Sequence, residues 1–320
     1  MKESLHISVE VVSIEDITPL IKQFTLARVD GQQLPAFSGG SHVVVTMQGD
    51  RKVYRNPYSL MGSPDDLDSY QISVRRQETS RGGSAFMHEQ VKVGSQLQVS
   101  CPVNLFPLAK LARKHLLIAG GIGITPFLAY LEELRTSHVP YELHYAFRSP
   151  EHGAFRERLQ MQASSRVVFY DRSRGHRIDP LHLLSDQPLG THVYVCGPAG
   201  MVDAVIEAAD KLGWPGSHVH SEQFSAAPAG EPFTAYLADS GVEIQVAPDQ
   251  SLLEAIEAAG VAVPHLCRSG VCGQCETEVL EIDGELIHHD HFLSGAAKAS
   301  GKKIMPCVSR ACGNRAVLKL

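Results

Sequence analysis

Short runs that alternate apolar and polar residues fill the first third of the chain. His42–Met47 and Tyr70–Arg75 send successive side chains to opposite faces, the period-two pattern of strands with one buried side. Turn-formers such as Gly62-Ser63-Pro64-Asp65-Asp66 separate these runs. The pattern predicts a small antiparallel β-barrel over residues 1–107. From about residue 110 the period changes. His115-Leu-Leu-Ile-Ala-Gly-Gly121 reads as a buried strand entering a glycine loop, and Thr125 and Pro126 fit the N-cap and first position of a helix. Tyr141–Phe147, Arg166–Tyr170 and Thr191–Cys196 read as further strands, and a helix through Met201, Val205 and Ala209 stops at Gly213. Strands alternating with helices predict an α/β domain with a parallel sheet over residues 108–225. Residues 226–232 read as a linker. Beyond it, Phe233–Ala238 and Val242–Val246 flank Asp239-Ser-Gly241 as a hairpin, and Ser251-Leu-Leu-Glu254 is a capping box that opens a short helix.

Charge and composition narrow the function classes. The 320 residues carry 29 basic and 35 acidic side chains, net −6, with the acidic excess concentrated after the linker. No basic field or Lys/Arg block suits nucleic acid. The stretch Leu116–Leu131 is apolar but too short, and too broken by Gly120, Gly121, Gly123 and Pro126, to span a bilayer. The opening MKESLHISVE lacks the layout of a secretory signal, so a soluble cytoplasmic protein is expected.

The cysteines change the picture. Seven is an odd number, and five of them (Cys267, Cys272, Cys275, Cys307 and Cys312) crowd the last segment. Cys267-x4-Cys272-x2-Cys275, with Cys307 further on, is the plant-type [2Fe-2S] spacing. Four thiolates on two irons and two sulfides leave net negative charge, so backbone N–H groups must point inward. Gly270 and Gly273 permit the φ values of such a wrapped loop. Four cysteines also suit structural zinc, although zinc sites favour two separated Cys-x2-Cys pairs. A β-grasp ferredoxin domain is expected over residues 233–320.

Two further groups carry chemistry. Gly120-Gly-Ile-Gly-Ile-Thr-Pro126 lies between a strand and a helix, where backbone amides can receive a pyrophosphate, and Cys196-Gly197-Pro198 ends a later strand at the ligand-binding edge of an open sheet. A tight structural turn is the alternative for the first. On the barrel, Arg55-Asn-Pro-Tyr-Ser-Leu60 and Arg81-Gly82-Gly83-Ser84 combine arginines, a helix start and an aromatic, which suit a phosphate and a flat ring.

Together these motifs resemble the phthalate dioxygenase reductase family over essentially the whole chain, and are similar to the reductases of vanillate demethylase and carnitine monooxygenase. The resemblance implies an FMN-binding barrel, an NAD(H)-binding α/β domain and a [2Fe-2S] domain serving a Rieske-type oxygenase, as a monomer. It implies that Arg55, Asn56, Tyr58, Ser59, Leu60 and Val74 lie along the flavin. Arg81, Gly82, Gly83 and Ser84 would hold its phosphate, and Phe224 of Glu222-Gln-Phe224 would stack on it. Gly120, Gly121, Gly123, Thr125, Pro126, Cys196, Gly197 and Pro198 would bind the pyridine nucleotide. Arg55 and Tyr58 are separated by two residues, Asn56 and Pro57, rather than the family's one, so a bulge is expected there.

Electron counting supports that order of cofactors. A nicotinamide delivers two electrons as hydride, a [2Fe-2S] cluster accepts one, and a flavin handles both, with the protein supplying position and tuning. Cys196 and Ser59 are assigned to the reacting centre, with no general acid, nucleophile or triad. Asp171 fits the adenosine ribose and favours NADH, whereas Arg148, Arg172 and Arg174 would tolerate the phosphate of NADPH. His288-His-Asp-His291 is read as a solvated loop. A reductase donating to a separate ferredoxin and a non-catalytic zinc module are the alternatives.

Overall fold

The computed structural model describes residues 6–49, 52–77, 81–163, 165–224 and 229–320. The chain divides into two compact units, residues 1–77 with 84–224, and residues 78–83 with 225–320.

The first unit begins with an antiparallel barrel. Its elements are β1 (His6–Thr18), β2 (Ile21–Arg28), β3 (Ser41–Gln48), β4 (Val53–Ser59), β5 (Tyr70–Arg75), α1 (Gly83–Glu89), β6 (Gln96–Ser100) and β7 (Val103–Asn104). The strand order is β4-β3-β6-β1-β2-β5, with β7 paired to β3. Alternation works as the sequence predicts: Val43, Val45 and Met47 join Phe24, Ile72 and Val74 in the barrel core.

The α/β half follows as β8 (Lys114–Gly120), α2 (Thr125–Thr136), β9 (Tyr141–Phe147), α3 (Arg156–Ala163), β10 (Val167–Asp171), α4 (Pro180–Ser185), β11 (Thr191–Cys196), α5 (Ala199–Lys211) and β12 (Val219–Glu222). All five strands run parallel in the order β10-β9-β8-β11-β12. The order reverses beside β8, which places the ligand crevice at the carboxyl ends of β8 and β11. Thr125 does not cap α2. A 3-10 turn over Gly121–Ile124 runs straight into the helix, so Thr125 is already helical and its hydroxyl donates to Ile122 O at 3.0 Å. The free amides of this helix start therefore belong to the glycine loop itself.

The second unit is a mixed five-stranded sheet. Its elements are β13 (Phe233–Leu237), β14 (Val242–Val246), α6 (Leu252–Ala258), β15 (Thr277–Ile287), α7 (Gly295–Ala299), β16 (Lys303–Ile304) and β17 (Arg310–Leu318), with sheet order β14-β13-β17-β15-β16. The expected hairpin and capping box are both present, Ser251 Oγ accepting from Glu254 N and Glu254 accepting from Ser251 N. A hydrophobic core under α6 includes the cysteines Cys275 and Cys307. Residues 226–228 of the expected linker lie outside the described residues. Among those described, no helix is long and apolar enough to cross a membrane.

Candidate redox sites

Two loops meet at the crevice of the parallel sheet. A Cβ on Gly123 would lie 2.3 Å from Cys196 O, and one on Gly197 would lie 3.0 Å from Gly120 Cα. Only glycine permits that approach, so the Gly120–Gly123 turn and the Cys196-Gly197-Pro198 turn pack as a single floor. Gly121 has φ 56° with open space around it, and its carbonyl accepts from Tyr145 Oη at 3.1 Å.

Cys196 ends β11 fully buried, and its Sγ lies 4.0 Å from Glu222 Oε2 on the adjacent strand. Burial pushes the Cys196 thiol well above its usual range, with the Glu222 charge adding to it. Burial likewise pushes the Glu222 carboxyl up to about 8. Both groups are neutral near pH 7, which suits a cleft that receives a nicotinamide ring. Phe224, just beyond β12, is exposed.

The Asp171 region holds a cleft of its own, at the carboxyl ends of β9 and β10. A cleft of about 440 Å³ is lined by Phe147, Arg156, Phe169, Asp171, Arg174 and His176, among others. Asp171 caps the 3-10 turn that follows it, accepting from Ser173 N at 3.0 Å and Ser173 Oγ at 2.6 Å, with Arg174 Nε at 3.5 Å. The Ser173 hydroxyl holds the Asp171 carboxyl below its ordinary value. Asp171 is thus both a turn residue and a cleft wall. Arg148 is exposed and is not among the residues lining the cleft.

The barrel departs from expectation at β4. The register between β3 and β4 runs unbroken from His42↔Ser59 to Gln48↔Val53, so the extra residue between Arg55 and Tyr58 makes no bulge. It reverses a side chain instead. Arg55 and Ser59 share one face with Thr46, while Tyr58 shares the other with Asn56, packs on the barrel core and accepts from Asn56 Nδ2 at 3.3 Å. Leu60 and Val74 also fill the core with their side chains, leaving only their backbone for a ligand, and the Val74 carbonyl is already bound by His88 Nε2 at 2.8 Å.

Among the described residues, the outer face holds buried polar atoms without partners: Thr46 Oγ1, Ser59 Oγ, Ser73 Oγ and Arg75 Nε. Buried donors and acceptors are costly to leave unpaired, and a heteroaromatic ring rich in N, O and N–H would satisfy them. The residues present fit a flavin. Ser73 and Arg75 escaped sequence reasoning because polar positions in an alternating strand look the same whether they face water or a ligand. Arg81 groups with the second unit, where it pairs with Glu254 at 2.5 Å. Gly82 has φ 103°, Gly83 opens α1, and Ser84 Oγ accepts from Gln77 N at 3.3 Å.

In the second unit the thiols converge as two pairs. Cys275 Sγ lies 3.4 Å from Cys307 Sγ, and the Cys267 and Cys272 thiols are hydrogen-bonded to each other. Two irons with two thiolates each need this arrangement, whereas a single tetrahedral zinc needs all four sulfurs equidistant. Amides aim inward: Ser269 N donates to Cys267 Sγ at 3.4 Å, and backbone donors from Val271, Gln274 and Gly270 reach Cys267, Cys272 and Cys307. Donation from Cys272, then from Ser269, pulls Cys267 down to about 4. Gly270 and Gly273 both have φ 75°, as the wrapped loop requires. Arg268, at φ 53°, is anchored by Glu257 and by His265 Nε2 at 3.0 Å. Cys312 is exposed on β17, away from both pairs.

A flavin-ready barrel, a nucleotide crevice and a paired-thiol loop define an iron–sulfur flavoprotein reductase. Residues 8–107 match the oxidoreductase FAD-binding domain, residues 102–219 the dimethylamine monooxygenase subunit DmmA-like N-terminal domain, and residues 235–312 the 2Fe-2S iron-sulfur cluster binding domain. The chain is 50% identical over 312 residues to the carnitine monooxygenase reductase subunit of Acinetobacter baumannii, covering 97% of this chain and 96% of that one. It is 47% identical over 317 residues to the heme-dependent oxidative N-demethylase beta subunit of Ectopseudomonas mendocina, covering 99% and 100%. The solved structure of phthalate dioxygenase reductase superposes with a TM-score of 0.89 at 34% identity, covering 98% of each chain. The chain belongs to the phthalate dioxygenase reductase-like family, the flavin and [2Fe-2S] reductase components of oxygenase systems.

Proposed function

We propose that this protein oxidises NADH through FMN and a [2Fe-2S] cluster held by Cys267, Cys272, Cys275 and Cys307, and passes electrons singly to a Rieske-type oxygenase. The flavin supplies the conversion of a two-electron hydride into single electrons. The observation that carries this reading is the joined floor of Gly123 and Cys196, taken with a barrel face whose buried polar atoms lack partners among the described residues. Arg55 and Ser59 orient the flavin edge. The Gly121–Ile124 amides would receive the pyrophosphate of a bound nucleotide, and Cys196 and Glu222 would keep charge and water from the crevice floor. We read the protein as a cytoplasmic monomer. Reduction of a purified Rieske-type oxygenase, followed as substrate-dependent NADH consumption, tests the assignment, and failure to reduce it overturns it. Mass analysis of heat-released flavin decides between FMN and FAD.

The relatives support a second reading of the acceptor. One relative is a carnitine monooxygenase reductase subunit and another is the beta subunit of a heme-dependent oxidative N-demethylase. A heme-dependent partner is distinguished by the Soret shift that accompanies its reduction.

A further inference from the structure

We propose that Asp290 is a positioning residue for the [2Fe-2S] cluster, tying the turn that carries Cys307 to the Cys267–Cys275 loop and holding a fixed negative charge against both. The proposal rests on the four-cysteine reading above. His288–His291 has the composition of a solvated loop, yet the Asp290 side chain has no exposure at all.

Its two oxygens reach in different directions. Oδ2 accepts from Leu293 N at 2.8 Å, which closes the turn locally. Oδ1 accepts from Ser309 Oγ at 3.2 Å, and Ser309 lies fully buried two residues beyond Cys307. The same Ser309 hydroxyl accepts from His289 N at 3.2 Å, so the two turns are joined twice. On the opposite side His291 N donates to Gly270 O at 3.0 Å, within the cysteine loop. A Cβ on Gly270 would lie 3.0 Å from Asp290 Cα and 2.6 Å from Val308 Cγ2, so all three segments are in contact there. Lys298 Nζ at 3.7 Å and His288 Nδ1 at 3.4 Å are the basic groups facing the carboxylate.

Two physical effects follow. A buried carboxylate with this many partners fixes its neighbours, because leaving any of them unpaired is costly. Its charge also opposes the addition of an electron to a cluster already negative, which lowers the cluster potential.

The test uses the holoprotein with Asp290→Asn, Asp290→Ala and Ser309→Ala. Asn keeps the shape and an acceptor but removes the charge. Asp290→Asn is expected to retain two irons per chain and shift the midpoint potential positive, with chelator bleaching near the native rate. Asp290→Ala and Ser309→Ala are expected to bleach about tenfold faster, the loss of a charge-assisted hydrogen bond. An unshifted potential in iron-replete Asp290→Asn overturns the charge role, and native bleaching rates in Ser309→Ala overturn the tie. Should Asp290→Ala not fold, the other two variants decide. Iron content of the native protein, measured first, separates failure of this proposal from failure of the four-cysteine assignment.

Discussion

Burial raises the Glu222 carboxyl above its ordinary range, and that carries a cost to folding. Its folded pKa of about 8 lies above the ordinary carboxylate value of 4.5. The unfolded chain therefore releases this proton first, and the Glu222 contribution to stability is full below pH 4.5 and lost as pH rises through 8. Glu222→Gln should match the native Tm near pH 4.5 and exceed it by about 3 °C at pH 8, roughly 1 kcal/mol in a unit of this size. Melting curves of the holoprotein across that range check it, and a pH-independent difference would count against the buried neutral acid. Asp171 offers a second residue-scale test. NADH should be favoured over NADPH in kcat/KM, and Asp171→Ala should narrow that ratio about tenfold by removing a carboxylate that repels the 2′-phosphate. An unchanged ratio would leave Asp171 as a capping residue only, the role its bonds to Ser173 already show.

Strands bring together what the sequence keeps apart. His115 on β8, His192 on β11 and His220 on β12 line one face of the parallel sheet, with His192 Nδ1 and His220 Nε2 2.9 Å apart and His218 stacked on His192 at 4.1 Å. Burial depresses His115 and His220 to about 4, and the neighbouring histidines add to it. As pH falls from 6.5 toward 4 the unfolded chain binds protons that the folded one refuses, so the stability these rings contribute is lost as pH falls through 4. His220→Gln should reduce the Tm loss between pH 7 and 5 by about 3 °C. Equal losses in the two proteins would contradict the stack. No sequence pattern announces this ladder, because the register between strands far apart in the chain creates it. Register also decides which face of the barrel Tyr58 takes. Strand identity in β4 is legible from alternation, but an added residue can either bulge or flip the side chains that follow, and pairing with β3 settles it. Asp290 was hidden for a related reason, since its partner Ser309 is 19 residues away and only the fold joins them.

At the scale of the whole molecule, module order was fully legible. Periods of two and of three to four residues mark barrel and α/β halves, and cysteine spacing marks the last unit, because each is a local property of the chain. The division into two units gives a clear expectation for Cys272→Ser. Cluster content should vanish and cytochrome c reduction should fall by about a hundredfold, while NADH-dependent dye reduction stays within about twofold of native. Parallel loss of dye reduction would show that the two units do not work independently. The paired thiols set one further condition on how this protein is made. Cys275 and Cys307 stand 3.4 Å apart, and Cys267 is already inclined to the thiolate. A chain that folds before iron arrives is thus primed to close disulfides across the positions meant for metal. Under iron starvation with oxygen present, newly made protein should accumulate as an oxidised form that iron and sulfide cannot rescue until a thiol reductant is added, so the supply of cluster competes in time with air.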